Sequence, residues 1–320
     1  MSLPNGLPSL SRRALLAAIG AAAVATGRAR AAGKTLRIGV QKYGTLIILR
    51  ERHILEQALS PLGWQVSWHE FPGGPQLLEA LAAGALDFGT TGEAPPVFAQ
   101  AAGAPLLYVG FEPPSPTGEA ILVPKDSPIR TLAELKGKRV ALNKGSNVHY
   151  LLVQALASAH LAPSDINPAY LAPADGRAAF ESGAVDAWVI WDPFLAAAQD
   201  ATGGRVLADG VGLAPNRQFF LATRDFAQQQ PDLLRLLNGQ IDTTDRWAEK
   251  NQAESTRLLA ASMGLSVPVV SRAVARMGYG VQTLTPEVVA DQQKIADTFY
   301  ALRLIPDKID VASIVWKPGV

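Results

Sequence analysis

Three observations predict two α/β lobes of mainly parallel strands, joined by two crossover strands and followed by helices that return to the first lobe. The chain has 320 residues, more than the roughly 250–300 at which one core stops growing and the chain divides. A strand, turn and helix pattern occurs twice, offset by 102 residues from Arg37 to Arg139 and by 99 from Gly84 to Gly183. After Thr223 the pattern is mostly helical.

The elements follow in chain order. Leu36-Arg37-Ile38-Gly39-Val40-Gln41-Lys42 is a short apolar strand ending in an amide and a lysine, and Lys138-Arg139-Val140-Ala141-Leu142-Asn143-Lys144 reads the same way. Small-residue turns, Tyr43-Gly44-Thr45 and Gly145-Ser146-Asn147, lead into helical patterns over 46–59 and 148–160. Leu81-Ala82-Ala83-Gly84-Ala85-Leu86-Asp87-Phe88 matches Phe180-Glu181-Ser182-Gly183-Ala184-Val185-Asp186-Ala187. In each, a helix ends at a glycine suited to the left-handed cap and a strand begins at an aspartate. Prolines that suit a first helical turn follow, Pro95-Pro96 and then Pro193.

The proline-rich stretch 108–128 contains the strand-like Ala120-Ile121-Leu122-Val123, the expected first crossover, and Phe219-Phe220-Leu221-Ala222-Thr223 is the expected return. Pro231 opens a helical pattern through Leu234, Leu237, Ile241 and Trp247; further amphipathic stretches cover 269–277 and 286–304. The expected division is 1–31 as an export signal, 32–120 as lobe 1, 121–220 as lobe 2, and 221–320 as the return to lobe 1 with the C-terminal helices.

Charge separates the first of these segments from the rest. The whole chain carries 29 Lys+Arg against 28 Asp+Glu. Residues 1–31 hold Arg12, Arg13, Arg28 and Arg30 and no acid, leaving 25 bases against 28 acids, a net of −3. Ser11-Arg12-Arg13, the apolar run 14–25 and Ala29-Arg30-Ala31 have the order of a signal peptide, with a twin-arginine-like start. Twelve apolar residues are too few for a helix to span ~30 Å of hydrocarbon at ~1.5 Å per residue. An exported, periplasmic mature chain is expected.

The near-neutral balance offers no basic stripe for nucleic acid. With no cysteine there are no disulfides, thiolate metal sites or Cys nucleophiles. His53, His69, His149 and His160 lack metal-type spacing, and no nucleophile elbow or phosphate loop is present. No catalytic residue, metal or cofactor is expected.

Ligands of open α/β sheets bind at the carboxyl ends of strands. Four such ends stand out: Gln41-Lys42-Tyr43-Gly44, Thr90-Thr91-Gly92-Glu93, Lys144-Gly145-Ser146-Asn147 and Trp191-Asp192. Helix N-termini there present N–H groups and partial positive charge, so facing turns suit a small oxyanion. Ser146 or Asn147 also reads as a plain N-cap. Tyr43 and Trp191 read as cleft or as core aromatics, and Trp188 as core. Glu93 and Asp192 stand awkwardly beside an anion. They are expected to accept backbone N–H bonds, to bind an ammonium on the ligand's tail, or to pair across the lobes with Lys or Arg.

At these turns the chain resembles a known family. The runs Glu70-Phe71-Pro72-Gly73-Gly74-Pro75-Gln76-Leu77, Asp87-Phe88-Gly89-Thr90-Thr91-Gly92-Glu93-Ala94-Pro95-Pro96, Ala141-Leu142-Asn143-Lys144-Gly145-Ser146-Asn147-Val148-His149-Tyr150 and Trp188-Val189-Ile190-Trp191-Asp192-Pro193-Phe194 are similar to those of the aliphatic sulfonate-binding proteins of ABC importers. The resemblance implies a type II periplasmic binding-protein fold. It implies a monomeric, non-enzymatic receptor that delivers alkanesulfonates to a membrane permease and ATPase for sulfur acquisition. It points to Gln41, Tyr43, Thr91, Gly92, Glu93, Ser146, Asn147, Trp191 and Asp192 as cleft residues. The alternatives are a taurine or nitrate receptor of the same group, or a cofactor-biosynthesis enzyme on the same fold.

Overall fold

The computed structural model describes residues 34–317, so the export signal expected at 1–31 lies outside the described residues. The first lobe opens with β1 (Lys34–Val40), α1 (Thr45–Glu51), α2 (Ile54–Leu59), β2 (Trp64–Glu70), α3 (Gly74–Ala82), β3 (Phe88–Gly92), α4 (Pro95–Ala101) and β4 (Leu106–Phe111). The second holds β5 (Glu119–Val123), β6 (Arg139–Leu142), α5 (Asn147–Ser158), β7 (Asn167–Tyr170), α6 (Pro173–Glu181), β8 (Ala187–Trp191), α7 (Phe194–Thr202) and β9 (Arg205–Asp209). The chain then returns through β10 (Gln218–Thr223), followed by α8 (Arg224–Gln229), α9 (Pro231–Lys250), α10 (Gln252–Met263), α11 (Val267–Val274) and α12 (Pro286–Ala301).

The two sheets share one plan. Their strand orders are β2-β1-β3-β10-β4 and β7-β6-β8-β5-β9. In each, four strands run in one direction, and a fifth, β10 or β5, is inserted antiparallel to its two neighbours. The inserted strand comes from the far side of a crossing. The two expected crossover strands are therefore full members of a sheet, and the crossings themselves are the irregular segments 112–118 and 210–217.

The repeated residues do equivalent work. The backbone N–H of Arg37 donates to Asp87 Oδ2 at 2.8 Å and that of Arg139 to Asp186 Oδ2 at 2.7 Å, so each aspartate fastens the entry of one strand to its neighbour. Gly84 and Gly183 both have φ of 72°, and just beyond them Ala85 and Ala184 each donate to a carbonyl five residues back at 2.9 Å. That is the Schellman closure of a helix end, in which a left-handed glycine spares the strain a Cβ would add.

The helix expected over 46–59 is two helices, because His53 turns left-handed at φ 52° and re-aims the chain. The run Leu46 to Leu49 before the break and Leu55 and Leu59 after it are all buried. Trp188 is core, at 1% exposed. Helices α9 and α10 pack on α1, and α12 on α4, as the helical tail was expected to do. Helix α11 also reaches the second lobe, where Val269 and Ala273 meet Ala196 and Ala197 of α7. No helix among the described residues is long and apolar enough to cross a membrane.

Candidate ligand-binding site

All four strand-end turns open on one cleft between the lobes. Gln41 and Tyr43 enter it after β1, Thr90 and Gly92 at the end of β3, Ser146 and Asn147 at the start of α5, and Trp191 and Asp192 at the end of β8. The cleft holds about 920 Å³ of empty space, part of it open to solvent.

Two residues on which the resemblance settled stand behind the lining instead. Thr91 is fully buried and its hydroxyl donates to Gly92 O at 3.0 Å, while its neighbour Thr90 lines the cleft and donates to Phe219 O at 3.1 Å. Every residue of β3 is buried, so no polar alternation told one threonine from the other. Glu93 is also fully buried, and its carboxylate accepts the backbone N–H groups of Asn216 at 3.2 Å and Arg217 at 3.1 Å. It anchors the second crossing.

Asn147 ties the lobes together. Its Oδ1 accepts the N–H of Ala94, at the N-terminal end of α4, at 3.2 Å. Its Nδ2 donates to Asn216 Oδ1 at 2.7 Å, and Asn216 donates in turn to Ser115 O at 2.9 Å. One run of amides thus joins the second lobe, the first lobe and both crossings. Gly92 makes room for it: a Cβ there would lie 2.1 Å from the Asn147 amide.

Ser146 occupies the N-cap position of α5, but its hydroxyl turns away and donates to Asn143 O at 2.7 Å. No side chain caps this helix, so its first N–H groups face the cleft. His149 is structural: its Nδ1 accepts the N–H of Gly145 at 3.3 Å, and burial, then Lys144, lowers its pKa to about 4.

Asp192 is 4% exposed. It accepts the N–H of Ala196 at 3.0 Å and pairs with Arg276 Nη1 at 3.0 Å. Its pKa is still raised, because burial outweighs the arginine. Arg276 also donates to Gln199 Oε1 at 3.1 Å. Among the described residues it is the one cationic side chain in the lining, and the sequence did not single it out because it follows α11, where the pattern is only amphipathic. Glu112, Ser115, Asn216 and Gln218, also in the lining, belong to the crossings or border them and carry no motif.

Buried carboxyls impose a pH dependence on the fold. Glu93 and Asp245 are pushed up to about 7, first by burial, and Glu112 and Glu119 are raised well above their ordinary value for the same reason. Between the ordinary values and about 7, the folded protein keeps protons that the unfolded chain has released, so stability falls as pH rises. His149 opposes this between about 4 and 6.5, where the unfolded chain binds a proton that the folded one does not. Four such carboxyls outnumber the one histidine, so the decline is expected to run from about pH 5 to about pH 7, with a lower melting temperature at about pH 7 than at about 5.5 and a flatter profile in Glu93→Gln. Equal melting temperatures across that interval would contradict it.

Among the described residues no group of three or more His, Cys, Asp or Glu could hold a metal ion. The site supplies hydrogen-bond donors, aromatic walls and a neutralised ion pair.

The NMT1/THI5-like family model matches residues 65–255, more than half of the chain. A relative from Escherichia coli (strain K12), named for binding aliphatic sulfonates, is 45% identical over 291 residues, covering 91% of each protein. The chain belongs to the NMT1/THI5-like family. Two solved structures are similar to it over most of its length. The alkanesulfonate-binding protein of Xanthomonas axonopodis pv. citri, described as bound to MOPS, is 46% identical with a TM-score of 0.85, covering 88% of this chain and 98% of that one. The periplasmic aliphatic sulphonate binding protein of Escherichia coli is 44% identical with a TM-score of 0.82, covering 89% of this chain and 93% of that one.

Proposed function

We propose that this chain is a periplasmic receptor that closes on an aliphatic sulfonate and delivers it to the permease and ATPase of an ABC importer, for sulfur acquisition. In this reading residues 1–31 direct export and are removed, and the mature protein acts as a monomer. The observation that carries it is the charge economy of the cleft. Neutral donors and helix N-termini from both lobes line it, and the one cation there among the described residues, Arg276, is already paired with Asp192. Such a site suits a monoanion that carries no proton. The names of the sulfonate-binding relatives support the same ligand.

Gln41, Tyr43, Gly92, Ser146, Asn147, Trp191 and Asp192 form the ligand's surroundings in this proposal, with Thr91 and Glu93 supporting them from behind. The sulfonate oxygens take donors at the start of α5, and the tail lies against Tyr43 and Trp191. Contacts from both lobes exist together only in the closed form, so the ligand favours closure.

Thermal denaturation with methane-, butane- and octanesulfonate, taurine and nitrate tests this. A binder present at ~100 times its Kd adds about 2.7 kcal/mol of stability. Stabilisation by nitrate and by no sulfonate would overturn the sulfonate assignment. Recovery of the mature protein in the cytoplasm would overturn the receptor role. Ser146→Ala is expected to lower the melting temperature of the free protein slightly, through loss of the bond to Asn143 O, and to weaken sulfonate binding by about 1 kcal/mol, roughly fivefold, if the hydroxyl swings to the ligand on closure; unchanged affinity would leave Ser146 a purely structural residue.

A further inference from the structure

The cleft has an acceptor end that an alkanesulfonate leaves unused. Glu112 lines it, is 6% exposed, and its carboxyl makes no hydrogen bond or ion pair with any described residue. Gln218 lies beside it, since the backbone N–H of Glu112 donates to Gln218 O at 2.9 Å. Gln218 Oε1 and Tyr43 Oη are also buried in the lining with no partner. A polar atom left unmade in a buried place is costly, so two such groups beside an unpartnered carboxyl at one end of a ligand cleft call for a donor from the ligand. Asp192, the other carboxylate in the lining among the described residues, is already satisfied.

We propose that Glu112, with Gln218 Oε1 and Tyr43 Oη beside it, receives a protonated amine on the ligand's tail, so that the preferred substrates are zwitterionic sulfonates. This rests on the sulfonate reading above and adds the chemistry of the far end of the ligand. An ammonium supplies three N–H donors and a charge that a hydrocarbon tail lacks. The mildly hydrophobic walls, Trp191, Phe220 and Met277, then cover the carbon chain between the two charged ends.

The surroundings of Glu112 make binding a proton exchange. Asp245 of α9 faces it and keeps its own hydrogen bonds, from Gly280 N at 3.1 Å and from Thr45 Oγ1. Tyr43, Tyr279, Arg276 and Asp192 surround the pair, with Asp242 and Arg246 beside Asp245 and Glu249 near Tyr279. Burial, then Asp245, raises Glu112 well above its ordinary value and so favours its protonated form in the free protein. An arriving ammonium favours the carboxylate, and the proton leaves for solvent.

The test is calorimetric titration of the full mature protein with aminopropanesulfonate and with butanesulfonate, which differ by an ammonium in place of a methyl. Phosphate and Tris buffers avoid competing sulfonates. Tighter binding of aminopropanesulfonate by about tenfold or more is expected, with net proton release seen only for that ligand. In Glu112→Gln the preference is expected to shrink to about twofold. Equal binding of the two ligands by the wild type, or an undiminished preference in Glu112→Gln, would overturn this proposal alone. Binding of neither ligand would overturn the sulfonate reading and this proposal with it. The proton release needs no variant, so its absence counts against the proposal even if Glu112→Gln fails to fold.

Discussion

Replacing Gly92 with alanine is expected to lower sulfonate affinity by about 100-fold, roughly 2.7 kcal/mol, while the free protein still folds. A methyl group at this position would sit 2.1 Å from the Asn147 amide, far inside any van der Waals contact. The two groups belong to different lobes, so the clash is relieved by keeping the lobes apart. The bonds from Ala94 N and to Asn216 Oδ1 are then lost together with closure. Two hydrogen bonds at about 1 kcal/mol each, plus displaced ligand donors, account for the magnitude. Isothermal titration with butanesulfonate measures it, and a change below about fivefold would show that closure does not need this contact.

Arg276→Ala is expected to destabilise the protein by about 3 kcal/mol, because it strands the Asp192 carboxylate, which is 4% exposed, without its counter-ion. The loss should be largely absent when Asp192→Asn is already in place, since no buried charge then remains. A double-mutant cycle in urea measures this coupling. Simple additivity of the two changes would mean that the pair contributes nothing beyond its separate contacts.

Much of the architecture was legible because it is written twice. Arg37 and Arg139, Asp87 and Asp186, and Gly84 and Gly183 have matching neighbours in the sequence and matching hydrogen bonds in the fold. A duplicated pattern separates a specific turn from the generic glycine turns of any α/β protein. The turns at Gln41, Gly92, Asn147 and Asp192 could be placed for the same reason, since each ends a strand of a repeated unit.

What escaped the sequence lies outside the repeat or inside uniformly buried strands. Thr90 and Thr91 are adjacent, small and both buried, so period-two reasoning had no polar face on which to choose. Glu112 and Asn216 sit in crossings whose path depends on two lobes meeting, which no local pattern encodes. Arg276 reaches the cleft because α11 packs on α7, about 75 residues earlier in the chain, and an amphipathic stripe does not say which lobe it will cover. The carboxylates at Glu93 and Asp192 were awkward only while their partners were unknown. Backbone N–H groups satisfy the first and Arg276 the second.

The inserted strands bear on the order in which the protein can mature. The second sheet is contiguous, built entirely between Glu119 and Asp209, whereas the first needs β10, which ends at Thr223. During synthesis the lobe that begins first therefore finishes last, waiting with β3 and β4 separated until the chain has passed through its sibling. A fragment ending before Gln218 would leave facing edges on β3 and β4, and an open sheet edge accepts any strand that fits. Truncated chains of this protein should accordingly exchange strands and associate, and a nick in segment 210–217 should leave the two pieces held together by β10.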